Sequence, residues 1–137
     1  SVYGSTASHT IARCGLVTLT DGVATTVATF TTANGTWSAG VIHYAVESVE
    51  TTTGQLLAGT VVVAIYDDAS GVTATVTEGT QSLAAEAAST LTDVWSVVTA
   101  DDGSVEVQLL ADTSLTPSTF RARIEVVAPS LQAVSVP

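Results

Sequence analysis

The sequence predicts an all-β domain: an antiparallel β-sandwich, jelly-roll-like, of about eight strands with extended terminal arms. Three observations carry this. Val and Thr dominate the chain, and both are β-branched strand formers. Turn signals recur about every ten residues, the spacing of a sandwich or barrel. No amphipathic stretch of helical period is present.

The 137 residues fit one domain. It divides into an N-terminal arm (1–9), a sandwich (10–127) and a C-terminal arm (128–137). Ser1 to Ser8 read as an extended polar arm. Thr10 to Thr20 make the first strand, ended by Asp21-Gly22. In the strand Val23 to Thr32, Val23, Thr25, Val27 and Thr29 alternate with Ala24, Thr26, Ala28 and Phe30. Asn34-Gly35 accepts positive φ at both central turn positions, so a hairpin is expected there. Trp37 to Glu50 is a long strand with a bulge expected near Ala39-Gly40. After a turn at Thr51 to Gly54, the strand Gln55 to Tyr66 carries the apolar run Val61 to Ile65. Such a run fits a strand buried on both faces or one contacting a partner.

Asp67 to Gly71 turn into a short strand, Val72 to Thr77. Gln81 to Ser89 is the one helix candidate, with Ser82 as its cap. Leu91 to Thr99, Ser104 to Ala111 and Thr119 to Val127 complete the strands, and Asp101-Asp102-Gly103 joins the first two as a hairpin. In the last strand Phe120, Ala122, Ile124 and Val126 oppose Arg121, Arg123 and Glu125. Likewise Val105, Val107 and Leu109 oppose Glu106 and Gln108. The arms carry some apolar residues, Val2 and Tyr3 at one end and Leu131, Val134 and Val136 at the other.

Charge narrows the function. Charged residues are 12% of the chain, half the usual ~25%. A surface this poor in charge suits an oligomer or lattice. Net charge is −10, there is no lysine, and the only basic residues are Arg13, Arg121 and Arg123. Such a chain does not neutralise a run of phosphates, so no nucleic-acid partner is expected. An anionic membrane would repel it, and no apolar run reaches the ~18 residues of a span. Cys14 alone makes no internal disulfide. The chain lacks Met and begins at Ser1, from which removal of an initiator or a longer leader is expected.

No pattern of catalytic residues stands out, and the chain is expected not to be an enzyme. His9 and His43 are the only histidines, and no G-x-S-x-G elbow occurs. His43 reads as a packed or surface residue on the face of Val41 and Ala45. Cys14, His9 and His43 lack the paired spacing of a zinc site. Asp67, Asp68, Asp101, Asp102 and Asp112 lie in turns, where hard oxygens suit calcium, but aspartate also favours turns for its own backbone bonding. No EF-hand loop is present. No catalytic, cofactor or metal residues are therefore assigned, and no cofactor is expected. Arg121 and Arg123 suit a cross-strand ion pair with Glu106 if those strands are neighbours. Trp37, Trp95, Tyr3, Tyr44 and Tyr66 offer a sugar-stacking platform, although core packing explains Trp95 as well. Asn34-Gly35-Thr36 matches a glycosylation acceptor, which its turn role already explains.

Two stretches carry a family resemblance. One is Trp37-Ser38-Ala39-Gly40-Val41-Ile42-His43-Tyr44-Ala45-Val46, followed by Gly54-Gln55-Leu56-Leu57-Ala58-Gly59-Thr60-Val61-Val62-Val63-Ala64. The other is the closing strand Ser118-Thr119-Phe120-Arg121-Ala122-Arg123-Ile124-Glu125-Val126. In cadence they resemble small β-sandwich virion proteins of tailed bacteriophages. The resemblance implies a structural virion protein, foremost a capsid decoration or cement protein that stabilises a phage head by bridging capsomers. It implies a homotrimer whose partner is the major capsid protein or another virion protein. The alternatives are a phage tail or head-fibre component, and a carbohydrate-binding or adhesin module.

Overall fold

Alternation of buried and exposed side chains sets the architecture. In a computed structural model, the described residues are 10–31, 37–48, 54–68, 71–85, 91–100, 103–113, 119–129 and 133–137. They form nine strands: β1 (Thr10–Thr20), β2 (Thr25–Thr31), β3 (Trp37–Ser48), β4 (Gln55–Asp67), β5 (Val72–Ala85), β6 (Thr92–Thr99), β7 (Ser104–Asp112), β8 (Thr119–Pro129) and β9 (Ala133–Ser135). Five make one sheet, in the order β1-β8-β3-β4-β5, and four make the other, β6-β7-β2-β9. All pairings are antiparallel. β1 pairs β8 and β2 pairs β7, a nested arrangement of jelly-roll type. The middle of the chain departs from full nesting, because β3, β4 and β5 run as a meander.

The core lies between the sheets. Phe120, Ala122, Ile124 and Val126 of β8 are buried, as are Val105, Val107 and Leu109 of β7. Leu19, Phe30, Ile42, Val46 and Val63 join them in the core, all fully inaccessible. Burying a side chain of this kind stabilises by roughly 1.5–3 kcal/mol. The run Val61 to Ile65 is one-sided: Val61, Val63 and Ile65 are buried, whereas Val62 is 46% exposed. Burial on both faces is thereby corrected. β4 lies in the five-stranded sheet, whose outer side carries no second layer among the described residues.

Other expectations also change. The Asn34-Gly35 hairpin does not form, since β2 and β3 lie in different sheets and do not pair. Residues 32–36 are outside the described set. The pairings of β2 with β7 and of β3 with β8 override the local turn preference. No bulge occurs near Gly40, because β3 pairs β4 without a break from Trp37 to Glu47. Gly40 instead makes room for Phe30, whose ring edge would lie 2.6 Å from a Cβ there. The bulges lie between Thr26 and Ala28 of β2, and where β5 passes Gly59 to Val61 of β4.

The helix expected over Gln81 to Ser89 is a strand as far as Ala85, and 86–89 fall outside the described residues. Gln81 to Ala85 pair with Gly59 to Gln55. A ladder partner outweighs a helix too short to nucleate. The C-terminal arm is docked rather than free. β8 runs on to Pro129, and Ala133–Ser135 pair with β2 as β9. Val134 and Val136 pack against the core. The N-terminal arm, 1–9, lies outside the described residues.

Candidate functional site

The two long sides of the sandwich are closed differently. On one, the C-terminal tail bridges the layers, with Val136 and Pro137 against Gly15 of β1. On the other, where β5 and β6 approach, a polar cluster joins the sheets. It begins with a row of in-register residues, Tyr44 of β3, Gly59 of β4 and Gln81 of β5. With no side chain at Gly59, the Tyr44 ring extends over that strand. A Cβ there would sit 2.8 Å from Tyr44 Oη. The ring thereby reaches Gln81, whose Nε2 donates to Tyr44 Oη at 2.8 Å.

The facing sheet supplies Asp93 and Trp95 of β6, alternate residues on its inner side. Tyr44 Oη donates to Asp93 Oδ2 at 2.9 Å, and Trp95 Nε1 donates to the same oxygen at 2.6 Å. Gln81 Nε2 also lies within hydrogen-bond distance of Asp93 Oδ1 and, at 3.2 Å, of Glu78 Oε1, so its two hydrogens are shared among three acceptors. The rings of Tyr44 and Trp95 pack at 4.9 Å between centroids, tilted by 52°. Partial burial, then a hydrogen bond with Asp93, raises the Glu78 carboxyl above the usual range. Burial, with the Asp93 and Glu78 charges adding to it, also holds the Tyr44 phenol protonated well above the ordinary tyrosine range.

This cluster ties the two sheets together. Asp93 takes three donors, so its oxygens are engaged. Glu78 and Asp93 lie within hydrogen-bond reach of each other. Glu78, Gln81 and Asp93 are not flagged by local sequence motifs. The available signal was Asp93 itself, an acid on the same strand face as Trp95 and Val97.

The outer face of the five-stranded sheet holds the other candidates. His43 is exposed there, between Glu125 of β8 and Thr60 of β4 in register. His43 and Glu125, with Cys14, Leu16 and Arg123, line a shallow groove of about 640 Å³. Cys14 is free and exposed. Arg121 and Arg123 do not meet Glu106, which lies in the other sheet and accepts from Thr26 Oγ1 at 2.9 Å. They flank Glu47 of β3 instead, at 3.4 and 3.8 Å.

Among the described residues no three His, Cys, Asp or Glu side chains gather as a cation site. Asp67 is buried, Asp68 and Asp112 are exposed, and Asp101 and Asp102 lie outside the described residues. The aromatic platform is not assembled from Tyr44 and Trp95, which are buried inside the sandwich, while Tyr66 is exposed on the outer face. Tyr3, His9, Asn34 and the Trp37 side chain are outside the described set.

No family model matches the chain, and no curated protein shows significant similarity to it. Among solved structures it is similar to the tailspike protein of Acinetobacter baumannii phage AM24, with a TM-score of 0.56 at 9% sequence identity. The likeness covers 90% of this chain and 27% of the tailspike chain, so the chain spans about a quarter of that protein. At this identity the likeness is one of fold.

Proposed function

We propose that this chain is a structural β-domain of a phage virion, acting in a tail-type component as an oligomeric assembly module. The observation that carries the reading is the fold shared with part of a phage tailspike over 90% of the chain. Two features support it. The chain is sparse in charge and presents apolar side chains outward, including Leu16, Leu56, Val62 and Tyr66 on the larger sheet. The Tyr44–Gln81–Asp93 cluster is engaged in joining the layers. On this reading the chain performs no catalysis, holds no cofactor, and meets other virion proteins rather than nucleic acid or membrane.

Capsid decoration is the competing placement within the same class. The tailspike likeness favours the tail, since nothing in the fold points to a capsomer contact. Immunogold labelling of purified particles with antibody to this chain distinguishes the two. Label at the tail supports the proposal. Label distributed over the head favours decoration, and unlabelled particles with a control antibody bound would reject both.

A further inference from the structure

Four strands bound the two sheets, and three of them are short, charged or tied to the facing sheet. β9 is only three residues long. β1 carries the charged Arg13, and Val136 and Pro137 pack over its inner side at Gly15. β6 is tied to β3 and β5 through Asp93. β5 differs. It is fourteen residues long, none of its side chains is fully buried, and no described strand pairs with its outer side. Its second half bends at the bulge opposite Gly59 to Val61. Its first half, Val72 to Thr77, pairs with Asp67 to Val62 in unbroken register and so presents a straight edge.

Natural sheets guard such edges with lysine, proline, inward charge or a bulge. Val72-Thr73-Ala74-Thr75-Val76-Thr77 has none of these. It is uncharged and rich in β-branched residues, as strand-pairing segments are. It also reads the same in both directions from Val72 to Val76. We propose that this edge joins a second copy of the chain, antiparallel and two-fold symmetric about Ala74, so that the larger sheets of two subunits become one.

The register follows from the faces. Val72, Ala74 and Val76 lie half-buried on the core side, while Thr73, Thr75 and Thr77 are exposed on the other. A two-fold axis perpendicular to the sheet keeps the core sides together, so each residue opposes one of its own face. Centring on Thr75 sets Val72 against the partner's Glu78. Centring on Ala74 sets Val72 against the partner's Val76 and Thr73 against the partner's Thr75. That register gives like-with-like apolar and hydroxyl pairs of the kind that stabilise sheets. It also ends before Glu78, which matters for two chains of net charge −10 each.

The test uses the full chain, sedimentation velocity across a concentration series, and circular dichroism to verify folding. The wild-type chain associates to twice its mass. Thr73→Lys/Thr75→Lys opposes lysines across the axis, and the dimer is lost. Thr73→Glu/Thr75→Lys sets opposite charges across the same register, and the dimer returns. In a Cys14→Ser background, Ala74→Cys places two thiols at the axis and forms a covalent dimer on mild oxidation. A wild-type monomer at all concentrations overturns the proposal. So does a dimer or trimer indifferent to the double lysine, a folded Glu/Lys variant that stays monomeric, or the absence of the Ala74→Cys cross-link.

Discussion

Tyr44 Oη and Asp93 Oδ2 lie 2.9 Å apart, joining the middle of the five-stranded sheet to the edge of the four-stranded one. The contact depends on Gly59, the strand residue that the Tyr44 ring crosses. It is the centre of a polar latch between the two sheets.

Loosening the latch destabilises the fold measurably. Tyr44→Phe removes one of three donors to Asp93 and costs about 1–3 kcal/mol. Gly59→Ala crowds Tyr44 Oη at 2.8 Å and the Thr80 carbonyl at 3.1 Å, and costs a similar ~1–3 kcal/mol. Because both act on one contact, their effects are less than additive in the double variant. Urea unfolding of the two single variants and the double variant measures this.

The raised Glu78 carboxyl sets a pH dependence. A group whose folded pKa lies above its unfolded value contributes stability below the unfolded value, and that stability is lost as pH rises through the folded value. The contribution of Glu78 is therefore complete below the ordinary glutamate range, ~4.3, and declines above it. Tyr44 behaves likewise at alkaline pH, its contribution fading above ~10. Thermal unfolding across pH shows the first decline in the wild-type chain, and Glu78→Gln flattens it. An unchanged profile in that variant would place the dependence elsewhere.

Much of the strand set was legible because burial on one side writes a period of two. β7 and β8 show it most clearly, from Val105 to Leu109 and from Phe120 to Val126. Assignment of strands to sheets was not legible. Asn34-Gly35 suits a tight hairpin, yet long-range pairing sends β2 and β3 to different layers. The first half of β5 was read as a strand, but its second half was hidden by its bulge, which breaks the alternation near Glu78 and leaves Gln81 onward resembling a short helix. The latch was illegible for the same reason. Tyr44, Gln81 and Asp93 are distant in sequence and converge only through β-pairing across both layers.

Surface ion pairs contribute little by comparison. Glu47 serves both Arg121 and Arg123, but all three side chains retain solvent. Glu47→Gln is expected to change stability by less than ~1 kcal/mol. Chemical denaturation at low and high salt checks this, and a larger loss would mean that the triad is better ordered than its exposure suggests.

The C-terminal strand carries more. Val134 pairs across from Phe30, and Val136 reaches Gly15. Deleting residues 133–137 removes that cover and bares the edge of β2. A loss of roughly 1–3 kcal/mol is expected from the apolar surface exposed, together with aggregation on heating. Unfolding midpoints and light scattering of the truncated chain report both.

The central claim is that this chain is a structural part of a phage particle. Quantitative mass spectrometry of density-purified particles from its source tests it most directly. The account predicts that the chain bands with the particles at a fixed copy number relative to known structural proteins. Its absence from the banded particles, with recovery only in the soluble lysate, would contradict the account.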